Sequence, residues 1–193
     1  MDESLDHKLI CYINKWVKLD PEEEKKILAS FEKQAIKKKI KLLEPGQVCQ
    51  YIYFIIQGGA RSYYHDAKGD EHIYQIRLEN NWISDLESYF SQQPSKFYLE
   101  TLEESIVLRI SPEVLENLYE EVPKMERYFR ILFQKAYINS LARLNSTMWE
   151  TAEERYNEMI KENCDILQRV PQTYIASYLG IAPESLSRIR KKK

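Results

Sequence analysis

Glu184, Ser185, Ser187, Arg188 and Lys191 lie in the stretch APESLSRIRKKK, and these are the side-chain types that read and grip a nucleic-acid duplex. An arginine donates to O6 and N7 of one guanine at once and a glutamate accepts from N4 of cytosine, each good pair discriminating by about 1–3 kcal/mol. Serine and lysine suit phosphate oxygens, which set register without reading sequence. Such chemistry needs a rigid helix delivered into a groove, and the residues before it meet that need. In Gln172 to Leu179, after Pro171, Tyr174, Ile175, Tyr178 and Leu179 recur as a helical apolar stripe. Gly180 then permits the left-handed turn that a Cβ resists. Ile181 pins the corner, Ala182 starts a second helix, and Pro183 sits in its first turn, where a missing N–H costs nothing. Leu186 and Ile189 face the first helix and leave the polar set outward. The pattern is a helix-turn-helix. A plain helical hairpin with a solvated basic end gives the same signals, but charge favours DNA. The chain carries a formal charge of −2, whereas Arg169, Arg188, Arg190, Lys191, Lys192 and Lys193 stand against Glu184 alone from residue 169 onward. One cationic pole on an acidic body suits phosphate contact at that pole.

The rest of the chain must position this motif. With 193 residues, 44% of them hydrophobic, it can bury a sizeable core and has room for one domain and a smaller second one. Fourteen tyrosines and few glycines and prolines argue against disorder. No apolar run reaches the roughly 18 residues of a membrane span, and MDESLDHKLI lacks the basic and apolar regions of a signal peptide, so a cytoplasmic location is expected. Cys11, Cys49 and Cys164 are isolated and odd in number, against a disulfide framework or clustered metal ligands; no cofactor is implied.

Residues 5–33 read as helical, with Leu9, Ile10, Ile13, Trp16 and Val17 on one face, then Asp20 capping a helix that starts at Pro21 and carries Ile27, Leu28 and Phe31. From Ala35 to about Ile110 the runs IKKKIKLL, YIYFIIQ, ARSYYHD, EHIYQIRL and SIVLRI, separated by EPGQ, QGG, DAKGD and LENN, predict an antiparallel roll or barrel. SPEVLENLYEE reads as a short helix, and Pro123 opens a long one to about Met148, roughly 37 Å of rod. Met125, Tyr128, Phe129, Ile131, Leu132, Phe133, Ala136, Tyr137, Ile138, Leu141, Ala142 and Leu144 cover more than one face of it. Such a helix must be buried on two sides. One side can lie on the roll, and a twin helix in a two-fold dimer, through Met125, Phe129, Leu132 and Ala136, can supply the other; a helix held between two domains of one chain is the alternative. Thr151 and Glu154 predict a capping box for a helix ending near Cys164. The fold class is α+β, in three parts: a roll with flanking helices over 1–121, a long helix over 122–148, and a helix-turn-helix over 149–193.

That order of parts, with YIYFIIQGGARSYYHDAKGDEHIYQI, then WISDLESYF, then the long helix and RVPQTYIASYLGIAPESLSRIRKK, resembles the Crp/Fnr superfamily of bacterial transcription factors. Its most specific pieces are the YFIxxG strand and turn at Tyr53 to Gly58 and the terminal motif. The resemblance implies a cyclic-nucleotide-binding-like roll, a homodimer joined through the long helix, and a C-terminal reader of double-stranded DNA, with RNA polymerase and an unidentified small-molecule effector as further partners. It places Glu184 and Arg188 at base-reading positions, Ser185 at a phosphate contact, and Gln172 and Thr173 near phosphate. Pro183 stands where the family often has an arginine, so a different operator is expected. The usual β-hairpin wing is not expected after the recognition helix, and the lysine run is expected to grip the backbone in its place.

Nucleotide-binding members hold the cyclic phosphate with a glycine-rich cassette, a glutamate and an Arg-Ser pair, since a buried phosphodiester needs N–H donors and a bidentate cation. Here the stretch is SDLESYFSQQPSKFYLE. Ser84 and Glu87 replace small residues, Asp85 replaces the glutamate, Ser95 and Lys96 replace Arg-Ser, and Glu87 is expected to repel a phosphate. Together with Arg61 and Leu86 these are the candidate effector pocket, and cyclic AMP is not expected to bind. The cysteine cluster of oxygen-sensing members is missing, and no haem ligand stands out.

His65, Asp66, Glu71 and His72 flank the AKGD turn and could approach one another as metal ligands, but polarity at an exposed hairpin tip accounts for them more simply, and no metal is expected. Asp85 and Glu87 lack any neighbouring nucleophile motif or phosphate loop, so an enzyme is not expected. The competing function is a ligand-sensing or protein-interaction module without DNA binding.

Overall fold

The computed structural model describes residues 3–191, with backbone alone at 3–6 and 162; the expected contacts of Lys192 and Lys193 lie outside the described residues. The chain folds as two compact units, one of residues 1–62 and 76–134, the other of 63–75 and 135–193. The division differs from the three parts expected, because residues 63–75 group with the C-terminal residues and the long helix runs through both units.

In the first unit, α1 (Glu3–Ile13) buries Leu9, Ile10 and Ile13. Trp16, expected on that face, is 38% exposed. The helix ends at Ile13, and the tighter turn closed by the Trp16 N–H on the Ile13 carbonyl (2.9 Å) takes the indole out of phase. α2 (Pro21–Ser30) has the expected start: Asp20 Oδ1 accepts from the Glu22 and Glu23 N–H groups, and Glu23 accepts from the Asp20 N–H.

The expected helical stretch ends too late, because residues 32 and 33 already belong to β1 (Glu32–Ile36). The IKKKIKLL run is likewise broken. Lys39 has φ 61°, its N–H and that of Ile40 bond to Thr101, and the chain turns into β2 (Lys41–Leu43). β3 (Ile52–Gln57) and β4 (Ala60–His65) are joined through Gly58, which has φ +90° and where a Cβ would lie 2.6 Å from the Glu104 carbonyl oxygen; only glycine fits. β5 (Glu71–Arg77), β6 (Asn81–Ile83), α3 (Leu86–Ser91), β7 (Tyr98–Thr101) and β8 (Ser105–Ile110) follow. One sheet has the order β1-β8-β3-β6 and the other β2-β7-β4-β5. β3 is central, antiparallel to both β6 (Tyr53 opposite Ile83) and β8 (Tyr53 opposite Arg109), and buries Ile52 to Ile56 without interruption, as a strand covered on both faces must.

α4 (Pro112–Glu121), capped by Ser111, precedes α5 (Lys124–Trp149). The first turns of α5 complete an aromatic core: Trp82 lies 5.1 Å from Phe54 and 5.4 Å from Phe129 between ring centroids, and its Nε1–H donates to Tyr128 Oη at 2.8 Å. The second unit holds the remainder of α5, then α6 (Ala152–Glu162) with the expected Thr151–Glu154 capping box, α7 (Ile166–Arg169), α8 (Gln172–Leu179) and α9 (Pro183–Lys191). Its buried apolar residues include Tyr63 and Ile73 with Tyr156, Met159, Ile166, Val170, Ile175, Ala176, Leu179, Leu186 and Ile189. No described helix is long and apolar enough to cross a membrane.

Candidate functional site

α8 and α9 form the helix-turn-helix. Gly180 closes α8 at φ 68°, ψ 36°, and the Ile181 N–H reaches back to the Ala176 carbonyl (3.0 Å), which satisfies carbonyls the helix leaves over. Ile175, Ala176 and Leu179 of α8 and Leu186 and Ile189 of α9 are all buried. Tyr174 and Tyr178, expected on the inward stripe, are half-buried, and Ala176, fully buried, takes the inner position instead. With those apolar groups inward, Gln172, Thr173, Glu184, Arg188 and Lys191 are exposed and Ser185 and Ser187 half-exposed. Arg188 Nη2 donates to Ser185 Oγ at 3.1 Å one turn back, which presents the guanidinium along the outer face.

The cassette in the first unit is arranged differently. Asp85 caps α3, accepting the Ser88 N–H, and its other oxygen accepts from Ser95 Oγ at 2.6 Å. Ser95 Oγ also accepts the Phe97 N–H (2.9 Å), while Ser88 Oγ accepts from Cys49 N–H and donates to the Gln93 carbonyl. Ser84 Oγ donates to the Tyr51 carbonyl and lies 3.3 Å from Cys49 Sγ. Leu86 packs against the core. Ser84, Asp85 and Ser95 are thus drawn into a self-satisfied network, whereas Glu87 and Lys96 are exposed. Glu87, expected to repel a phosphate, is exposed in the first turn of α3, whereas Asp85 is half-buried. Arg61, 3% exposed, places Nε and Nη2 at 3.3 and 3.2 Å from one oxygen of Glu100. Glu100 was not anticipated, since nothing in the stretch SDLESYFSQQPSKFYLE marks its last residue as the partner of Arg61.

The hairpin polar group is accounted for by turn chemistry. Asp66 Oδ1 accepts the Lys68 and Asp70 N–H groups, and Oδ2 lies 3.0 Å from His72 Nε2. The His72 bond, with these N–H donors, holds the Asp66 carboxyl below its ordinary range. His72 stacks on Tyr64, and His65 sets its ring edge-to-face with Tyr63. Among the described residues no group of three or more His, Cys, Asp or Glu is placed to hold a metal ion.

The residues expected at a dimer seam divide. Met125 and Phe129 are 0% and 1% exposed inside their own chain, so they have no surface to offer a second copy; their side chains fill the aromatic core instead. Leu132 and Ala136 are half-buried. The exposed apolar residues of α5 come later: Tyr137 (67%), Ile138, Leu141, Leu144 (55%), Met148 and Trp149.

Residues 18–122 match the cyclic nucleotide-binding domain family. The fumarate and nitrate reduction regulatory protein of Vibrio cholerae serotype O1 is 26% identical over 168 residues; the match takes in 81% of this chain but 66% of that protein's length, just under two thirds. Among solved structures, the catabolite activator protein of Thermus thermophilus superposes with a TM-score of 0.60 at 16% identity, over 94% of this chain and 85% of the other. The c-di-GMP responsive global regulator CLP of Xanthomonas campestris gives 0.67 at 15% identity, over 90% and 91%. At these identities the structural likeness establishes the fold.

Proposed function

The chain belongs to the cyclic nucleotide-binding domain family, with the order of parts of the Crp/Fnr transcription regulators, and on that premise we propose that it is a dimeric, sequence-specific DNA-binding regulator not gated by cyclic AMP. The observation that carries this reading is the outer face of α9, where Glu184, Arg188 and Lys191 are exposed while Leu186 and Ile189 anchor the helix from behind. A face of that composition suits the major groove, Arg188 and Glu184 at base edges and Ser185, Lys191, Gln172 and Thr173 at phosphates. Ser187, half-exposed on the same helix, borders the reading face. Such a protein works in the cytoplasm and is not an enzyme.

Dimerisation is assigned to the second half of α5. Tyr137, Leu141, Leu144 and Met148 recur at spacings of four, three and four, which is the seam of a two-stranded coiled coil. Paired heads would then favour palindromic half-sites about 34 Å apart. Against cyclic AMP stands the cassette, where Ser95, at the place of the Arg-Ser pair, offers no bidentate cation and its hydroxyl is already bonded to Asp85.

Binding to a pool of duplexes at rising salt tests the reading. The affinity should fall steeply, and Lys191→Gln should lower it uniformly across sequences while reducing the salt slope by about one. Absence of binding to any duplex at low salt would favour a ligand-sensing or protein-interaction module instead. Calorimetric titration with cyclic AMP should show no micromolar or tighter binding.

A further inference from the structure

The back of α8 is held by residues far away in sequence. Ser177 Oγ accepts the Ile73 N–H of β5 at 2.9 Å and donates to the Glu71 carbonyl at 3.3 Å. Arg143, from α5, donates to the carbonyls of Tyr74, Ile73 (3.4 Å) and Tyr178 (3.2 Å), with its guanidinium 4.1 Å from the centre of the Tyr178 ring. Arg155, from α6, donates to the Leu179 carbonyl at 3.1 Å and to the Glu150 carbonyl at 2.6 Å. The final carbonyls of a helix lack intrahelical donors and form the negative end of its dipole, so two guanidinium groups there satisfy bonds and charge together.

Ser177 is the more telling residue. Alanine is the better helix former at such a position, and the serine hydroxyl is turned to the hairpin backbone instead of to its own helix. Ser177, Arg143 and Arg155 are all half-buried, whereas Gln172, Thr173, Glu184, Arg188 and Lys191 are exposed. The contacts therefore grip the reading pair without covering its outer face.

We propose that Ser177 and Arg143 form a clamp that holds α8 and α9 from behind against the β4–β5 hairpin, making them positioning residues for DNA binding that do not touch DNA. The inference rests on the DNA-binding reading above. Ser177→Ala deletes two hydrogen bonds and no charge. In the full chain it should speed hydrogen exchange at the Ile73 amide at least tenfold. It should also weaken binding to a selected duplex on the order of threefold to tenfold, the worth of one or two net hydrogen bonds, with the salt slope unchanged because no phosphate contact is lost. Arg143→Lys keeps the charge but cannot span three carbonyls and a ring, and should reproduce both effects.

Unchanged exchange at Ile73 in Ser177→Ala overturns the clamp, whether or not DNA binds. So does full affinity despite faster exchange, and so does an affinity loss accompanied by a slope shallower by about one, which would mean that a cationic phosphate contact had been lost with the hydroxyl. Wild-type protein that binds no duplex sinks the DNA reading and the positioning role with it, while the exchange measurement still decides whether the hairpin contact exists.

Discussion

The cassette around α3 and the outer face of α9 hold similar polar side chains in opposite states. In the cassette, Asp85, Ser88 and Ser95 bond to one another and to nearby backbone, and Arg61 and Glu100 form a buried ion pair. On α9, Glu184 and Arg188 stay at the surface because the helix spends its apolar residues on the core. Hydrogen-bonding capacity used internally is lost to a ligand, which would have to break those bonds before making its own. Capacity held outward by packing from behind remains available.

The contrast is broken most directly at the buried pair. Glu100→Leu leaves the Arg61 guanidinium buried without this carboxylate, and urea unfolding should register a loss of about 3–5 kcal/mol. Arg61→Met combined with Glu100→Leu should recover most of it, since replacing a whole buried pair by apolar groups of similar volume is often close to neutral. A loss below about 1 kcal/mol for the single variant would mean that the pair is solvated in solution and the cassette less closed than its bonds indicate.

The same experiment on α9 sharpens the difference. Arg188→Ala should change stability by less than about 0.5 kcal/mol, as exposed substitutions do, yet cost about 1–3 kcal/mol of discrimination at one base pair in a binding-site selection. Uniform weakening over all sequences would reassign Arg188 to phosphate. For the proposed seam, wild-type protein should sediment as a dimer and Leu144→Glu as a monomer, because a carboxylate in a coiled-coil seam must be desolvated on association. Met125→Ala should instead lower the stability of each chain by about 2–5 kcal/mol through a core cavity.

How much of this was legible follows from how local each signal is. The helix-turn-helix was, because Gly180 and Pro183 punctuate it within a dozen residues; so were the Asp20 and Thr151 caps and the start of α5. The period of α5 predicted two buried sides, but within the chain only its first turns are buried and Tyr137 to Trp149 stay exposed, since an apolar pattern does not say which of its residues the chain's own core will take. Met125 and Phe129 were placed at the seam for that reason, though the aromatic core had claimed them. Glu100 and Ser177 carried no local signal at all. The partners of these two lie 39 and 104 residues away, and only the fold brings them together. Trp16 was misplaced by a smaller cause, a helix that tightened one turn early.

The smallest expected effect tests whether the two regions differ in general stability or only in how they use recognition groups. Each unit has one helix start with the same chemistry. Asp20 is held below the usual carboxylate range by the Glu23 N–H, with further help from the Glu22 N–H and the charge of Lys124. Glu154 is held low by the Thr151 N–H and hydroxyl. A carboxylate whose folded pKa is depressed contributes stability above its unfolded value and loses it as pH falls through the folded value. Both α2 and α6 should therefore loosen on acidification below about pH 4, visible as faster exchange of their first-turn amides after correction for the intrinsic rate. Asp20→Asn retains a capping acceptor without the titration and should flatten the acid response of α2 while leaving that of α6 intact. If α6 loosened near neutral pH and α2 did not, the reading head would be the weaker structure throughout, and its exposed polar face would reflect loose packing instead of deliberate presentation. If the two respond alike, the contrast is confined to the groups that meet a ligand.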